Sequence, residues 1–197
     1  MHTARVDHAR PGVFLLGPGL DAVSGVSTHV TFLLHSQLSR VFSLRHFQVG
    51  GEGRGENVWR RRWRLLASPV ALGIALARAR PALVHVNTSL NRRAFFRDLV
   101  YVGIARLLGS RVIYQVHGGA LPREFCRETR LPAAVLRSIL RLPDALVLLA
   151  NCELDAYRAF VDRPRTCLVP NGVDCEAWAA PRRPVAEAGA PLRLLYT

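Results

Sequence analysis

Short apolar runs alternate along this chain with longer segments whose apolar residues recur at helical spacing. Glycine, proline, asparagine or serine bounds most of the short runs, and this alternation is typical of βαβ units. The first run, 13–16, is continuously apolar, which indicates a strand that is buried on both faces of a parallel sheet. The pattern therefore predicts an α/β fold with a Rossmann-like, doubly wound parallel sheet.

The individual elements follow from the same pattern. We predict strands at residues 13–16, 41–49, 83–87, 111–117, 145–150 and 166–169. We predict helices that begin near Ser24-Gly25, at 59–79, at 92–108, at 121–142 with an interruption at Pro132, and at 153–160. One face of the first helix carries the apolar residues Val26, Val30, Leu33, Leu34 and Leu38.

The C-terminal part of the sequence changes in composition. Residues 179–191 are rich in alanine, proline, arginine and glycine, which is typical of a linker. Residues 192–197 begin another apolar run. We therefore expect one domain over residues 11–178, a linker over 179–191 and the truncated start of a second domain at 192–197.

Composition narrows the class of protein. Half of the 197 residues are hydrophobic, which excludes disorder for most of the chain. The longest uncharged apolar stretch, 65–77, is shorter than the roughly 18 residues of a spanning helix. The 4 cysteines lack the spacing of zinc ligands and are typical of reduced thiols. We expect a cytoplasmic protein that holds no metal.

The charge of the chain is strongly positive, at +13, and all 27 basic side chains are arginines. Without a lysine, the chain can form no Schiff base and no P-loop. The charge predicts an anionic partner, such as a phosphorylated ligand or an anionic membrane surface. Because the arginines are dispersed, without a recognition motif or an aromatic stacking ladder, we do not expect nucleic acid.

A glycine-rich loop follows the first predicted strand. Residues 17–22 match the dinucleotide fingerprint G-x-G-x-x-[G/A], but apolar helical spacing begins only after Gly25. The fingerprint is therefore out of register with its helix. Ser24 and Gly25 lead directly into that helix, where free N–H groups and the helix dipole favour a phosphate. A simple glycine-rich turn without a ligand is the alternative.

Polar residues recur where the predicted strands end. Such residues are Asn87, Thr88, Ser89, His117, Gly118, Gly119, Asn151, Asn171 and Gly172. Ligands of open parallel sheets bind at these carboxyl ends, so the repetition indicates a binding edge. A neutral His117 could donate a hydrogen bond to a hydroxyl or a phosphate of a substrate, and a structural role is the alternative. His85 lies inside its strand, and we assign it to packing.

These residues resemble a known family. Residues 17–25, the strand-end pair His117-Gly118 and the element at 169–174 (Val-Pro-Asn-Gly-Val-Asp) are similar to the N-terminal half of GT-B-fold, retaining glycosyltransferases of family 4. The similarity covers about residues 11–178, and the Pro-Asn-Gly-Val-Asp element is its most specific part. One departure is Ser24-Gly25-Val26, where the family usually has Gly-Gly-Val.

The resemblance implies transfer of a hexosyl group, with retention, from a nucleotide-sugar donor of the UDP or GDP type to a glycan or lipid-linked acceptor. It implies that His117 contacts the donor sugar and that this half of the enzyme mainly holds the acceptor. The expected donor-binding residues are Ser24, Gly25, Gly118 and Asn171. The expected acceptor-binding residues are Asn87, Ser89, Arg92 and Arg93.

The family's E-x7-E motif and its phosphate-stabilising basic pair belong to the C-terminal half, which these residues do not include. The resemblance therefore implies little or no activity for this chain alone and a need for that second domain. It also implies that no metal or other cofactor is required, because basic side chains and helix ends neutralise the leaving phosphate.

Two arginine clusters allow more than one interpretation. The segment Trp59-Arg60-Arg61-Arg62-Trp63-Arg64 suits an anionic membrane surface at the inner face of the membrane, and a solvated helix face is the alternative. Arg92, Arg93 and Arg97 could meet an acceptor phosphate or form an exposed helix face. For the whole chain, the alternative functions are an NAD(P)-dependent oxidoreductase domain and a non-catalytic domain that binds a membrane surface.

Overall fold

The computed structural model describes residues 10–50 and 57–172. Its strands are β1 (Gly12–Gly17), β2 (Ser43–Gln48), β3 (Leu83–Leu90), β4 (Arg111–Gly119), β5 (Ala145–Leu148) and β6 (Arg165–Leu168). Its helices are α1 (Gly25–His35), α2 (Leu38–Val41), α3 (Val58–Ala79), α4 (Arg92–Leu107), α5 (Pro122–Thr129), α6 (Ala133–Leu140) and α7 (Asn151–Arg158). The predicted linker and the predicted strand at 192–197 lie outside the described residues.

The six strands form one parallel sheet in the order β2-β1-β3-β4-β5-β6. The chain therefore reverses its direction of travel between β1 and β3, which is the switch point at which ligands bind in doubly wound sheets. Helix α1 packs Val30 on Val13 and Leu15, on one face of β1. This architecture confirms the α/β, Rossmann-like fold class.

The opposite face of the sheet carries the larger apolar core. Phe14 and Leu16 of β1 belong to it, so that successive residues of this strand face different clusters. Helices α3 to α7 all contribute to this core, and their buried residues include Leu72, Leu76, Phe95, Tyr101, Phe125, Leu136, Leu140 and Tyr157. Helices thus cover both faces, as a doubly wound sheet requires.

The first helix is shorter than its apolar pattern predicted. The Ser36 backbone N–H and hydroxyl both donate to the carbonyl of Leu33, which ends α1 at His35. Leu38 was predicted on the apolar face of this helix, but it lies in the separate α2 and is 44% exposed. The second strand consequently begins at Ser43 rather than at residue 41.

The third and fourth strands are longer than predicted. Pairing between β3 and β4 continues past Asn87 and Gln115 to Leu90 and Gly119, with an irregularity after Thr88. Continued pairing places the polar residues expected after these strands inside the sheet. Hydrogen bonds to a neighbouring strand override a local polar sequence in this region.

Candidate functional site

The candidate site lies at the carboxyl ends of β1, β3 and β4. Gly17, the last residue of β1, lies against α1, because a Cβ at this position would be 2.9 Å from Val30 Cγ2. This close approach brings the start of α1 to the switch point between β1 and β3. The expected binding edge is therefore built where the sheet topology favours it.

The loop between β1 and α1 is held by its own hydrogen bonds. The Ser27 hydroxyl donates to the carbonyls of Gly19 and Leu20, at 2.8 Å each. The Ser24 hydroxyl accepts from the Ser27 N–H at 3.2 Å and caps α1, which begins at Gly25. The helix thus starts three residues beyond Ala22, and the dinucleotide fingerprint has no helix N-terminus at its own position.

Gly25 is exposed, and a Cβ added to it would meet nothing within 4 Å. Packing within the described residues therefore does not require a glycine at this position. The open space lies directly in front of the first turn of α1, where backbone N–H groups can donate hydrogen bonds to an anion.

Asn87 and His117 form the central pair of the site. The Asn87 Nδ2 amide donates to the carbonyl of Leu16 at 3.2 Å, so its Oδ1 faces His117 Nε2, also at 3.2 Å. The network assigns the proton to Nε2, and Nδ1 keeps its lone pair. His117 thus offers an acceptor at Nδ1, and this atom is buried without a partner among the described residues.

Two further histidines lie beside His117. The His29 ring, from α1, meets the His117 ring edge-on with centroids 4.7 Å apart, and His85 Nε2 donates to Gln115 Oε1 at 2.9 Å. Burial, together with the neighbouring His29 and His85, lowers the pKa of His117 to about 4. Burial also lowers the pKa of His85 to about 4. These rings are therefore neutral at physiological pH.

Ser89 and Gly118 adjoin His117 in the sheet. The Ser89 hydroxyl donates to the carbonyl of His117 at 3.3 Å. Gly118 and Gly119 have φ values of +79° and +105°, in the region that favours glycine. A Cβ on Gly119 would lie 2.6 Å from the Leu90 carbonyl oxygen, whereas one on Gly118 would meet nothing within 4 Å. Gly119 is thus required by packing, and Gly118 faces open space.

A cavity of about 80 Å³ opens at the switch point. Its lining comprises Pro18, Val26, Val49, Gly50, Asn87, Thr88, Ser89, Asn91, Ala94 and Arg97. Asn87 is therefore shared between this cavity and His117. At about 10–15 Å³ per water, the volume admits several waters or a small anionic group.

Several expected site residues lie outside this cavity lining. Arg92 and Arg93 are exposed in the first turn of α4, and the described contacts do not join them to His117. Asn171 is exposed after β6. Asn151, expected at a strand end, begins α7. The structure thus joins Asn87, Ser89 and His117 by hydrogen bonds, while these other side chains are exposed on the surface.

The tryptophans of the first arginine cluster are exposed on α3. Trp59 and Trp63 are 70% and 72% exposed, and Arg64 is half-buried. The side chains of residues 60–62 lie outside the described part of the structure. Within the described ranges, no helix combines the length and apolarity needed to cross a bilayer.

The thiols and the metal-ligating residues are dispersed. Cys126, Cys152 and Cys167 are free, as expected, and Cys175 lies outside the described residues. Over residues 10–50 and 57–172, no three His, Cys, Asp or Glu side chains are grouped as metal ligands would be.

We call the polar side chains on one face of β3 and β4 the polar layer: His85, Asn87, Ser89, Gln115 and His117. The sequence predicted only part of this layer as a site. His29 and Gln115 were not singled out, and His85 was taken as a packing residue. The signal was the period-2 spacing of polar residues at 85, 87 and 89 and at 115 and 117, which places them on one face of neighbouring strands. The Thr88–Asp98 contact, described below, had no comparable signal, because it joins an apparently apolar strand face to a helix.

The fold and the site define the class: a doubly wound, Rossmann-like domain with a polar binding edge at its switch point. The family described as "Glycosyl transferase 4-like domain" matches residues 22–172, which is more than half of the chain. The chain belongs to this family of glycosyltransferase domains. Among curated proteins, no relative matches the chain.

Proposed function

We propose that this chain supplies the acceptor-side half of a retaining glycosyltransferase of the GT-B fold. The enzyme transfers a hexosyl group from a UDP- or GDP-type sugar donor to a glycan or lipid-linked acceptor. The observation that supports this proposal most strongly is the Asn87–His117 pair at the switch point, beside an open cavity. The domain division, with residues 11–178 as this half and the donor-binding half beginning near 192, is part of the proposal.

His117 is proposed to contact a hydroxyl of the donor sugar. Its Nδ1 lone pair can accept from a hydroxyl, but it cannot bind an unprotonated phosphate oxygen, because both atoms are acceptors. The depressed pKa supports this role, since the ring stays neutral and keeps that lone pair. The sugar hydroxyl is thus favoured over the phosphate as its ligand.

The diphosphate of the donor is assigned to backbone N–H groups near Gly25, Gly118 and Asn171, with Ser24 as the cap behind them. A helix start stabilises the developing negative charge of a departing phosphate, in the way that an oxyanion hole does. Retention of the anomeric configuration is proposed from the family resemblance. The basic side chains that stabilise the departing phosphate are assigned to the second half of the enzyme.

A transfer assay on the complete reading frame that contains this chain tests the proposal. UDP- and GDP-sugars are offered with candidate acceptors, and NMR of the product gives the anomeric configuration. His117→Ala is expected to lower kcat/KM for the donor by about tenfold, the effect of one lost hydrogen bond. His35→Ala, an exposed histidine of α1, is the matched control. Inversion, or NAD(P)H binding in place of sugar transfer, would contradict the proposal.

A second proposed property is contact with an anionic membrane. Five exposed residues follow one another at spacings of three or four along α3, and each is between 48% and 73% exposed: Trp59, Trp63, Leu66, Val70 and Ile74. We call them the apolar row. Arginines at 60, 61, 62 and 64 adjoin this row in sequence, and each contributes about 1 kcal/mol near anionic lipid.

Vesicle co-sedimentation tests this second property. The chain is expected to sediment with vesicles of phosphatidylglycerol and phosphatidylcholine. It is expected to stay in the supernatant when the vesicles contain phosphatidylcholine only. Replacing Trp63 and Leu66 by alanine, or the four neighbouring arginines by glutamine, is expected to abolish binding. Leu107→Ala, at an 88% exposed position of α4, is the control. Self-association through the row without lipid binding would assign it to a second copy of the chain instead.

A further inference from the structure

Arg97 lines the switch-point cavity, and its guanidinium is paired with the neighbouring Asp98. Its Nε donates to Asp98 Oδ1 at 2.7 Å, and the Asp98 side chain is fully buried. The other carboxylate oxygen of Asp98 accepts from the Thr88 hydroxyl. Both oxygens of Asp98 are therefore occupied, and Asp98 is not part of the cavity lining.

The outer edge of the guanidinium remains available. The structure records no acceptor for Nη1 or Nη2 of Arg97 within the described ranges, and the side chain is 23% exposed. A Cβ on Gly50, whose φ is +78°, would lie 2.7 Å from Nη1. A larger residue would crowd this nitrogen, so the glycine leaves it room at the cavity wall.

The charged side chain in the described lining of the cavity is Arg97, and the carboxylate that pairs with it, Asp98, is not part of that lining. The described lining contains neither aspartate nor glutamate. Burial opposes the charge on Arg97, but Asp98, together with Tyr101 and Tyr114, outweighs burial and raises the pKa of Arg97. The guanidinium is therefore a permanent cation whose orientation is fixed through Nε. A planar pair of free N–H groups in such a setting suits an oxyanion.

The lining also supplies neutral partners around this cation. Asn91, the cap of α4, lies at the start of a helix whose dipole favours an anion, and the Ser89 hydroxyl, which donates to the His117 carbonyl, lies in the same lining. On the other side of the cavity, Asn87 holds His117. An anion seated on Arg97 is therefore one side chain away from the histidine proposed to contact the donor sugar.

We propose that this cavity is the subsite for a phosphate group of the acceptor, and that Arg97 is the residue that binds it. This inference rests on the proposed function, because it takes this half of the enzyme to be the acceptor side. It selects Arg97, rather than the exposed Arg92 and Arg93, as the phosphate ligand. A phosphate group carries at least three oxygens, so it can accept from two guanidinium nitrogens and from the N–H groups at the start of α4 together, whereas a bidentate guanidinium already engages both oxygens of a carboxylate.

Binding is measured directly on the 197-residue chain, without any transfer reaction. Inorganic phosphate and methyl phosphate are titrated by NMR, with the Arg97 Nε–Hε signal as the reporter, and acetate is the carboxylate probe. We expect both phosphates to shift this signal and acetate to bind more weakly. Tighter binding of acetate, or shifts confined to the start of α1, would overturn the proposal.

Two variants separate the site from the fold. Arg97→Lys keeps the charge beside Asp98 but loses the two-nitrogen edge, and it is expected to weaken phosphate binding by roughly tenfold. Arg97→Gln combined with Asp98→Asn removes both charges together, so that no buried carboxylate is left unpaired. Arg106→Gln, an exposed arginine in the last turn of the same helix, is the control, and it is expected to bind phosphate within about twofold of the unaltered chain.

The sources of phosphate are distinguished in the transfer assay. With the complete reading frame, a phosphorylated sugar and a lipid-linked phosphate are compared as acceptors against unphosphorylated analogues. Arg97→Lys is expected to raise KM for the phosphorylated acceptor and to leave KM for the donor unchanged. Phosphate binding without sugar transfer would refute the proposed function alone, whereas transfer without phosphate binding would refute this inference alone.

Discussion

The two faces of strands β3 and β4 differ sharply in polarity, although alternate residues of the same two strands supply them. On one face, Val84, Val86, Val112, Tyr114 and Val116 belong to the main apolar core. On the other face, the polar layer comprises His85, Asn87, Ser89, Gln115 and His117.

The two faces contribute differently to the stability of the fold. The apolar side chains gain free energy simply by leaving water. The polar layer, with His29 from α1 beside it, buries ring and amide atoms that lack partners among the described residues: His29 Nε2, Gln115 Nε2 and His117 Nδ1. Each such atom is costly to bury, so this layer contributes less to the stability of the fold than the apolar face does.

The largest expected effect is a loss of stability on replacing Asp98, a charged side chain that is buried on the apolar face. Asp98 is buried there against Thr88 and Arg97. Asp98→Ala leaves the hydroxyl and the half-buried cation without their partner, and we expect about 3 kcal/mol of lost stability in urea unfolding. Asp162→Ala, which removes an exposed partner of Arg141, is expected to leave the midpoint unchanged. A loss below about 1 kcal/mol at Asp98 would show that this pair is not structural.

Acidification is expected to weaken the polar layer next. His85 has a pKa of about 4 when folded against 6.5 as its ordinary value, so the unfolded chain binds its proton first. Stability is therefore fully present above pH 6.5 and is lost as the pH falls towards 4. Between pH 7 and pH 5, His85 alone accounts for about 2 kcal/mol.

Thermal unfolding against pH measures this effect. His85→Gln is expected to flatten the dependence between pH 7 and pH 5, because glutamine does not titrate. His35→Gln, in the last turn of α1, is expected to follow the unaltered chain. An identical slope for His85→Gln would place the acid sensitivity outside His85.

The end of β4 gives a smaller and sharper contrast, because neighbouring glycines differ in their surroundings. Gly119→Ala would place a methyl group 2.6 Å from the Leu90 carbonyl oxygen, and we expect a loss of about 2–3 kcal/mol. Gly118→Ala meets open space and carries only its backbone strain, about 1 kcal/mol. Chemical denaturation of the two variants checks the order, and a reversed order would contradict the packing described for β3 and β4.

The smallest expected effect concerns a single proton. In the unaltered chain, ¹⁵N shifts of His117 are expected to show a protonated Nε2 and an unprotonated Nδ1, because Asn87 Oδ1 accepts from Nε2. Asn87→Leu removes this acceptor, and the tautomers are then expected to mix. A protonated Nδ1 in the unaltered chain would contradict the assignment of His117 as a hydroxyl-binding acceptor.

The predictable parts of the fold were those that depend on local periodicity. Short runs rich in apolar residues located the strands of the described residues, and the cap at Ser24 located the start of α1. Strand ends were less predictable, because pairing with a neighbour extends β3 and β4 through polar residues. The polar layer was found in part: Asn87, Ser89 and His117 follow apolar runs, whereas His29 reaches them from a distant helix.

The sequence by itself determined the parallel α/β architecture, the polar carboxyl edge and the excess of arginine, because each depends on residue order or composition alone. Only the tertiary structure decided which polar residues meet. It joined Asn87 to His117, fixed the proton on Nε2, and turned the outer edge of Arg97 into the cavity by binding its Nε to Asp98. These contacts depend on distances across the sheet, which local periodicity does not encode.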